Sequence, residues 1–195
     1  VSAALVERTK SGRGQVIDVA MVDGVAMILN PFYLAATNGF WGPRGTNHLD
    51  GGAHFYNVYG TADGKWVSVG AIEPQFYLEL VEGLGLRDDE LCAPSRQMDR
   101  SVWSAAKRRF AEVFASRTRD EWCAIFEGGN ACFAPVLAPE EVSSHAHITE
   151  RSTIVSVNGV TQAAPAPRFS RTPGEAGLAR HPGADSLADV LASWS

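Results

Sequence analysis

The sequence predicts an α+β fold, and three observations carry that prediction. Two extended runs, His54 to Tyr59 and Lys65 to Ile72, flank Thr61-Ala62-Asp63-Gly64. Asp-Gly supplies the positive φ that a tight hairpin turn needs. Amphipathic helical patterns then follow this hairpin instead of alternating with strands, the order of an α+β rather than an α/β fold. Hydrophobic content of 45% and charged content of 20% over 195 residues are ordinary for a globular chain.

The elements follow in order. Residues 1–10 read as the end of a helix, stopped by Lys10-Ser11-Gly12-Arg13-Gly14. Gln15-Val16-Ile17-Asp18-Val19 reads as a short strand. From Met21 to about Asn38, Val22, Val25, Ala26, Ile28, Leu29, Phe32 and Tyr33 fall at helical spacings, and Pro31 should kink that helix or divide it. Residues 40–53 form a loop rich in Gly, Pro, Asn and Asp. Past the hairpin, a helix runs from Pro74 to about Glu82 and is closed by Gly83 and Gly85. Another, from about Arg100 to Ser116, carries Val102, Ala106, Phe110, Val113 and Phe114 on one face. Thr118-Arg119-Asp120-Glu121 is a capping-box pattern opening a third helix with Trp122, Ile125 and Phe126.

Cys132 to Leu137 reads as a strand interrupted by Pro135, which places it at a sheet edge. From about Asn158 to Gly183 the composition of Pro, Ala and Gly reads as an extended connector. Leu187, Val190, Leu191 and Trp194 then mark one face of a terminal helix. The expected organisation is a helical segment at 1–40, a linker at 41–53, a small α+β domain at 54–140, and a return linker with its terminal helix at 141–195. The chain opens within a helical pattern and without Met, and it reads as a fragment of a longer protein.

Charge and cysteine usage narrow the function classes. A net charge of −5 argues against a nucleic-acid backbone as partner. No apolar run approaches bilayer-spanning length, so no membrane role is expected, and no signal peptide is visible. Cys92, Cys123 and Cys132 show no CxxC or metal-ligand spacing and read as reduced thiols, with Cys123 and Cys132 in the core. The expected compartment is the cytoplasm, or the peroxisome or mitochondrion in a eukaryote.

Glu73 is the leading candidate for chemistry. Strand Trp66-Val67-Ser68-Val69 runs into Gly70-Ala71-Ile72-Glu73, and Pro74 then starts a helix where its missing N–H costs nothing. A carboxylate at that join is placed either to act as a general base or to cap the helix and complement its dipole. Asp50-Gly51-Gly52 shapes either the rim of a pocket or a turn into the hairpin. His145-Ala146-His147 offers two imidazoles but lacks a third convergent ligand, so no metal site is expected. Lys107-Arg108-Arg109 reads as the solvated face of its helix.

Several stretches together resemble family III (CaiB/BaiF-type) CoA-transferases. They are GRGQVIDVAMVDG at 12–24, RGTNHLDGGAHFYNVYGTADG at 44–64, VGAIEPQFYLELVEGLGL at 69–86, DEWCAIF and ACFAPVL within 120–137, and PAPRFSRTP at 165–173. The GAIEPQFY and LDGGA segments resemble the α-methylacyl-CoA racemase branch specifically. The resemblance implies a small α+β domain whose flanking helices pack on a Rossmann-like, CoA-binding large domain absent from this sequence. It also implies an interlocked homodimer acting on an acyl-CoA substrate, with no cofactor beyond the CoA of the substrate itself.

For the racemase branch, the resemblance implies inversion at the α-carbon of 2-methylacyl-CoA thioesters, with acid/base groups on both faces of an enolate. One is the Glu of GAIEPQF, here Glu73. The other is a His–Asp pair in the amino-terminal half, which has no counterpart in this sequence. Leu49, Asp50, Gly51, Tyr56 and Ile72 are the expected substrate pocket. His48 and His54 depart from the branch, whose members tend to carry other residues there, commonly apolar or Pro, which bears on the acyl specificity. On this basis the 195 residues alone are expected to be inactive. Two other readings stand beside it: a CoA-transferase with an upstream Asp nucleophile, and a non-catalytic assembly half.

Overall fold

The computed structural model describes residues 1–177 and Ala192; the expected helix at 187–194 lies outside the described residues. The chain divides into two compact units, 1–135 and 136–195.

The first unit is organised by a hairpin. Strands β1 (Tyr56–Gly60) and β2 (Trp66–Gly70) pair antiparallel from Tyr56↔Gly70 to Gly60↔Trp66. Gly64 takes φ +73 in the turn, a conformation that an L side chain resists, and Thr61 N–H bonds the Lys65 carbonyl at 2.9 Å. Strand β3 (Phe133–Val136) completes the sheet in the order β1-β2-β3, at an edge, where Pro135 removes no needed donor. Side chains alternate across the pleat. Tyr59, Val67 and Val69 are buried, whereas Tyr56, Val58 and Trp66 are exposed on the other face.

Three helices share the buried face's core: α4 (Pro74–Gly83), α5 (Trp103–Phe114) and α6 (Arg119–Phe126). Helix α5 buries Trp103, Ala106, Phe110 and Phe114, the i, i+3, i+7, i+11 stripe of an amphipathic helix. Ring centroids of Tyr59 and Phe114 lie 5.1 Å apart, and those of Phe114 and Trp122 lie 5.3 Å apart. The capping box at α6 is present: Thr118 Oγ1 accepts Glu121 N–H at 3.3 Å, and the Glu121 carboxylate accepts Thr118 N–H at 2.8 Å.

The amino-terminal segment agrees with its reading at Pro31 and differs from it at 15–19. Pro31 divides the apolar pattern into α2 (Met21–Ile28) and α3 (Asn30–Thr37), because Pro sits readily in a first turn and poorly within a helix. The strand expected at 15–19 is absent; those residues have no partner strand to take their backbone groups. Helix α1 (Ser2–Ser11) ends at Gly12 in the left-handed region, and none of α1, α2 and α3 buries a residue.

The second unit corrects the connector reading. It holds short helices α7 (Pro139–Val142) and α8 (Ala146–Glu150), then a hairpin of β4 (Ile154–Val157) and β5 (Val160–Ala163). Asn158 and Gly159 take φ +51 and +80, the paired positive angles of a two-residue hairpin turn. Among the described residues, no helix is long and apolar enough to cross a membrane.

Candidate active site

Glu73 stands where β2 has ended and α4 begins. Its φ and ψ of −72 and 141 are extended, and its carbonyl accepts Phe76 N–H at 3.1 Å and Tyr77 N–H at 3.0 Å. The carboxylate makes no cap hydrogen bond and the residue is exposed. Capping therefore falls to the backbone carbonyl, which leaves the carboxylate for other work. Helix α4 has no acidic residue in its first turn, so the carboxylate is the negative charge nearest its positive end.

The approach to Glu73 is held from below. Ala71 N–H donates to the Phe55 carbonyl at 3.0 Å. The Gln97 side-chain amide donates to the Ala71 carbonyl at 3.0 Å and the Ile72 carbonyl at 2.8 Å, and Trp103 Nε1 fixes Gln97 by donating to its carbonyl at 2.8 Å. Gln97 is buried, so these bonds satisfy groups that water does not reach. No sequence signal singles out Gln97, because its partners lie 25 and 26 residues away.

A cavity of about 460 Å³ opens on the outer face of the sheet. Tyr56 and Val58 on β1 and Ser68 and Gly70 on β2 form its floor, with Leu49 and Gly51 at its rim and Cys132 in its wall. Among the described residues, no Asp, Glu, Lys, Arg or His lines it. Cys132 ties the cavity to Glu73. Its carbonyl accepts Gly70 N–H at 2.9 Å, and its thiol is pushed up by burial and by the charges of Glu73 and Glu79. Glu79 in turn accepts Asn130 N–H at 2.6 Å, anchoring the turn ahead of Cys132.

The other sequence-selected residues fall in distinct places. Leu49, Gly51 and Tyr56 meet in the cavity. Ile72 is half-buried against the core instead. The Asp50 carboxylate turns into its own loop, accepting Gly45 N–H and Asn47 N–H at 2.8 Å and Asn47 Nδ2 at 2.7 Å. Burial raises its pKa, but these bonds outweigh it and hold the group below the usual carboxylate range.

The cysteine reading needs correction: Cys92 is buried, Cys123 half-buried and Cys132 exposed, at φ +48. That left-handed backbone turns the side chain out of the core. His54, by contrast, is wholly buried, with Nε2 2.7 Å from the Tyr77 hydroxyl. Among the described residues, no group of three or more His, Cys, Asp and Glu side chains is placed to hold a metal ion.

Residues 1–186 match the model of CoA-transferase family III. The chain is 49% identical over 181 residues to the alpha-methylacyl-CoA racemase of Mus musculus, and 48% identical over 181 residues to that of Homo sapiens. Each match covers 92% of this chain and 47% of the relative. The fold is shared with a CaiB/BaiF family protein from Brucella suis, at a TM-score of 0.64 and 20% identity over 88% of this chain and 46% of that one. The chain spans about half the length of the curated relatives it matches. With a family model matched over nearly its whole length, the chain belongs to CoA-transferase family III.

Proposed function

We propose that this chain supplies one half of an α-methylacyl-CoA racemase, with Glu73 as one of its acid/base groups. The carrying observation is a carboxylate borne on a held strand-to-helix backbone, free of capping duty, near the Cys132 wall of a cavity whose described lining is uncharged. The thioester carbonyl acidifies the α-proton of a 2-methylacyl-CoA. A base on one face removes that proton, the electron pair passes into the enolate, and an acid on the opposite face returns a proton to the α-carbon. The product is the inverted thioester, with CoA still attached. No metal or redox cofactor enters this scheme.

Within it, each element of the site has a task. The floor of Tyr56, Val58, Ser68 and Gly70 accepts the acyl group without burying a charge against it. Gln97 holds the Ala71 and Ile72 carbonyls, and so the backbone that carries Glu73. The opposite-face group and the CoA-binding surface belong to a large domain that this chain does not contain, in an interlocked homodimer. The chain alone is accordingly inactive.

Glu73→Gln in the complete racemase tests the assignment, since it keeps the shape and removes the base. Loss of proton exchange at the α-carbon by about 10²–10⁴-fold, with an unchanged unfolding midpoint, is the expected result. Unchanged turnover would remove Glu73 from the chemistry. Movement of CoA onto an added free acid, without loss of α-carbon configuration, would favour a transferase instead.

A further inference from the structure

The cavity rim is held from behind by two cations. Arg100 Nη2, in the turn leading into α5, donates to the Phe40 carbonyl at 3.0 Å. Lys107 Nζ, on α5 itself, donates to the Gly51 carbonyl. The two bonds reach back 60 and 56 residues and fasten both ends of the 40–52 loop to α5 and the turn before it.

Between these anchors the loop is tied to itself. Asn47 is buried; its Oδ1 accepts Gly42 N–H at 2.7 Å, and its Nδ2 donates to the Gly42 carbonyl at 3.2 Å, the Pro43 carbonyl at 3.1 Å and Asp50 at 2.7 Å. At Gly52 a Cβ would lie 2.5 Å from the Asn47 carbonyl oxygen, so the turn admits no larger residue. The loop is thus cross-linked within itself as well as anchored at both ends. Its contribution to the cavity is Leu49 and Gly51, and Gly51 carries the Lys107 bond. Asn57 Nδ2, 3.2 Å away, is the second donor to the same carbonyl.

We propose that Lys107 is a positioning residue for acyl selectivity: its bond to the Gly51 carbonyl sets how far Leu49 and Gly51 stand over the cavity floor. This rests on the acyl-CoA reading above. Without the Lys107 bond, Gly51 is held by Asn57 alone, and the loosened rim changes the fit of a long acyl chain crossing it more than that of a short one. Glu73 does not itself line the cavity, and its chemistry is untouched.

Lys107→Met tests this, because it keeps the aliphatic stem and removes the donor. In the complete racemase, KM for a long-chain 2-methylacyl-CoA relative to 2-methylbutanoyl-CoA should shift about tenfold, the scale of a charged hydrogen bond, with kcat within about twofold. Amide exchange over residues 49–53 should quicken about tenfold, and Lys107→Arg should restore both. An unchanged KM ratio or unchanged exchange at 49–53 overturns the proposal. So does an equal fall in kcat for both substrates with a lowered unfolding midpoint, the mark of a merely structural lysine. If the unsubstituted racemase inverts neither substrate, the functional reading fails by itself, and the exchange at 49–53 still decides whether Lys107 holds the rim.

Discussion

Residues 53–133 and residues 1–40 are built from similar proportions of apolar side chains and meet opposite fates. In the first region the apolar faces of three helices and a hairpin converge, and Phe55, Val67, Tyr77, Leu80, Phe110 and Phe114 reach zero exposure. In the second, Val16 is 95% exposed, Met21 90% and Ile28 73%, and no residue of the three helices is buried. Helix α2 is more apolar than α5, yet α5 is the helix with a core. Burial follows from having a facing surface, and the hairpin provides one only for the elements after it. So many large apolar side chains left exposed on neighbouring helices are what an interaction surface presents.

Deleting one side chain from each region gives the largest contrast. Phe110 packs against His54, Tyr59 and Phe114, so Phe110→Ala should destabilise this chain by about 3–5 kcal/mol in urea unfolding. Val25→Ala on α2 should change stability by less than about 0.5 kcal/mol. Equal costs would show that 1–40 has a core of its own.

Acid should act on the two regions just as unequally. Tyr77 donates its hydroxyl to the Cys92 carbonyl at 2.8 Å, so His54 Nε2–H donates to Tyr77 and Nδ1 is left the acceptor. Nδ1 has no hydrogen-bond partner among the described residues, and Phe55, Tyr77 and Phe110 surround the ring. Burial, with the Lys107 charge adding to it, holds His54 down to about 4. Against an unfolded value of 6.5, the unfolded chain binds the extra proton between the two. Stability from this group is therefore full above pH 6.5 and falls as pH drops towards 4, by about 3 kcal/mol in all. His54→Gln should remove that part of the acid slope, and an unaltered slope would show that another group sets it.

At the border of the regions, Gly52→Ala should cost about 2 kcal/mol, since a Cβ would meet the Asn47 carbonyl at 2.5 Å. Thermal unfolding measures this, and a cost near zero would mean that the loop shifts freely.

What the sequence disclosed divides along the same line as the packing. Local punctuation was legible: Asp63-Gly64 for the hairpin, Pro74 after a strand for the Glu73 junction, and Thr118 with Glu121 for α6. Each is a rule about neighbours in the chain. Lys107 looks like part of a solvated triplet, but its partner is 56 residues away, and Arg109 likewise bonds Asp89 at 3.0 Å. Gln97 and the outward turn of Cys132 escaped for the same reason. Asn158-Gly159 was a local signal that the surrounding Pro and Ala composition concealed. Composition averages over a window, whereas a hairpin turn needs two residues.

The smallest effect on stability bears on what the apolar amino-terminal surface is for. Val22 and Ile28 on α2 are 71% and 73% exposed, so replacing both with Ser removes little buried area. Serine also has a helix propensity close to that of Val and Ile, which leaves α2 itself little changed. The unfolding midpoint of this chain should therefore move by less than about 0.5 kcal/mol. If the proposed large domain covers this surface, the same pair of substitutions in the complete protein should weaken assembly, since each Ser would bring a hydroxyl to an apolar contact. Sedimentation of the complete protein before and after the change reads this directly. Unchanged assembly would mean that α2 faces water in the whole protein too, and the contrast between the two regions would then reflect not a missing partner but an exposed apolar helix that the fold tolerates.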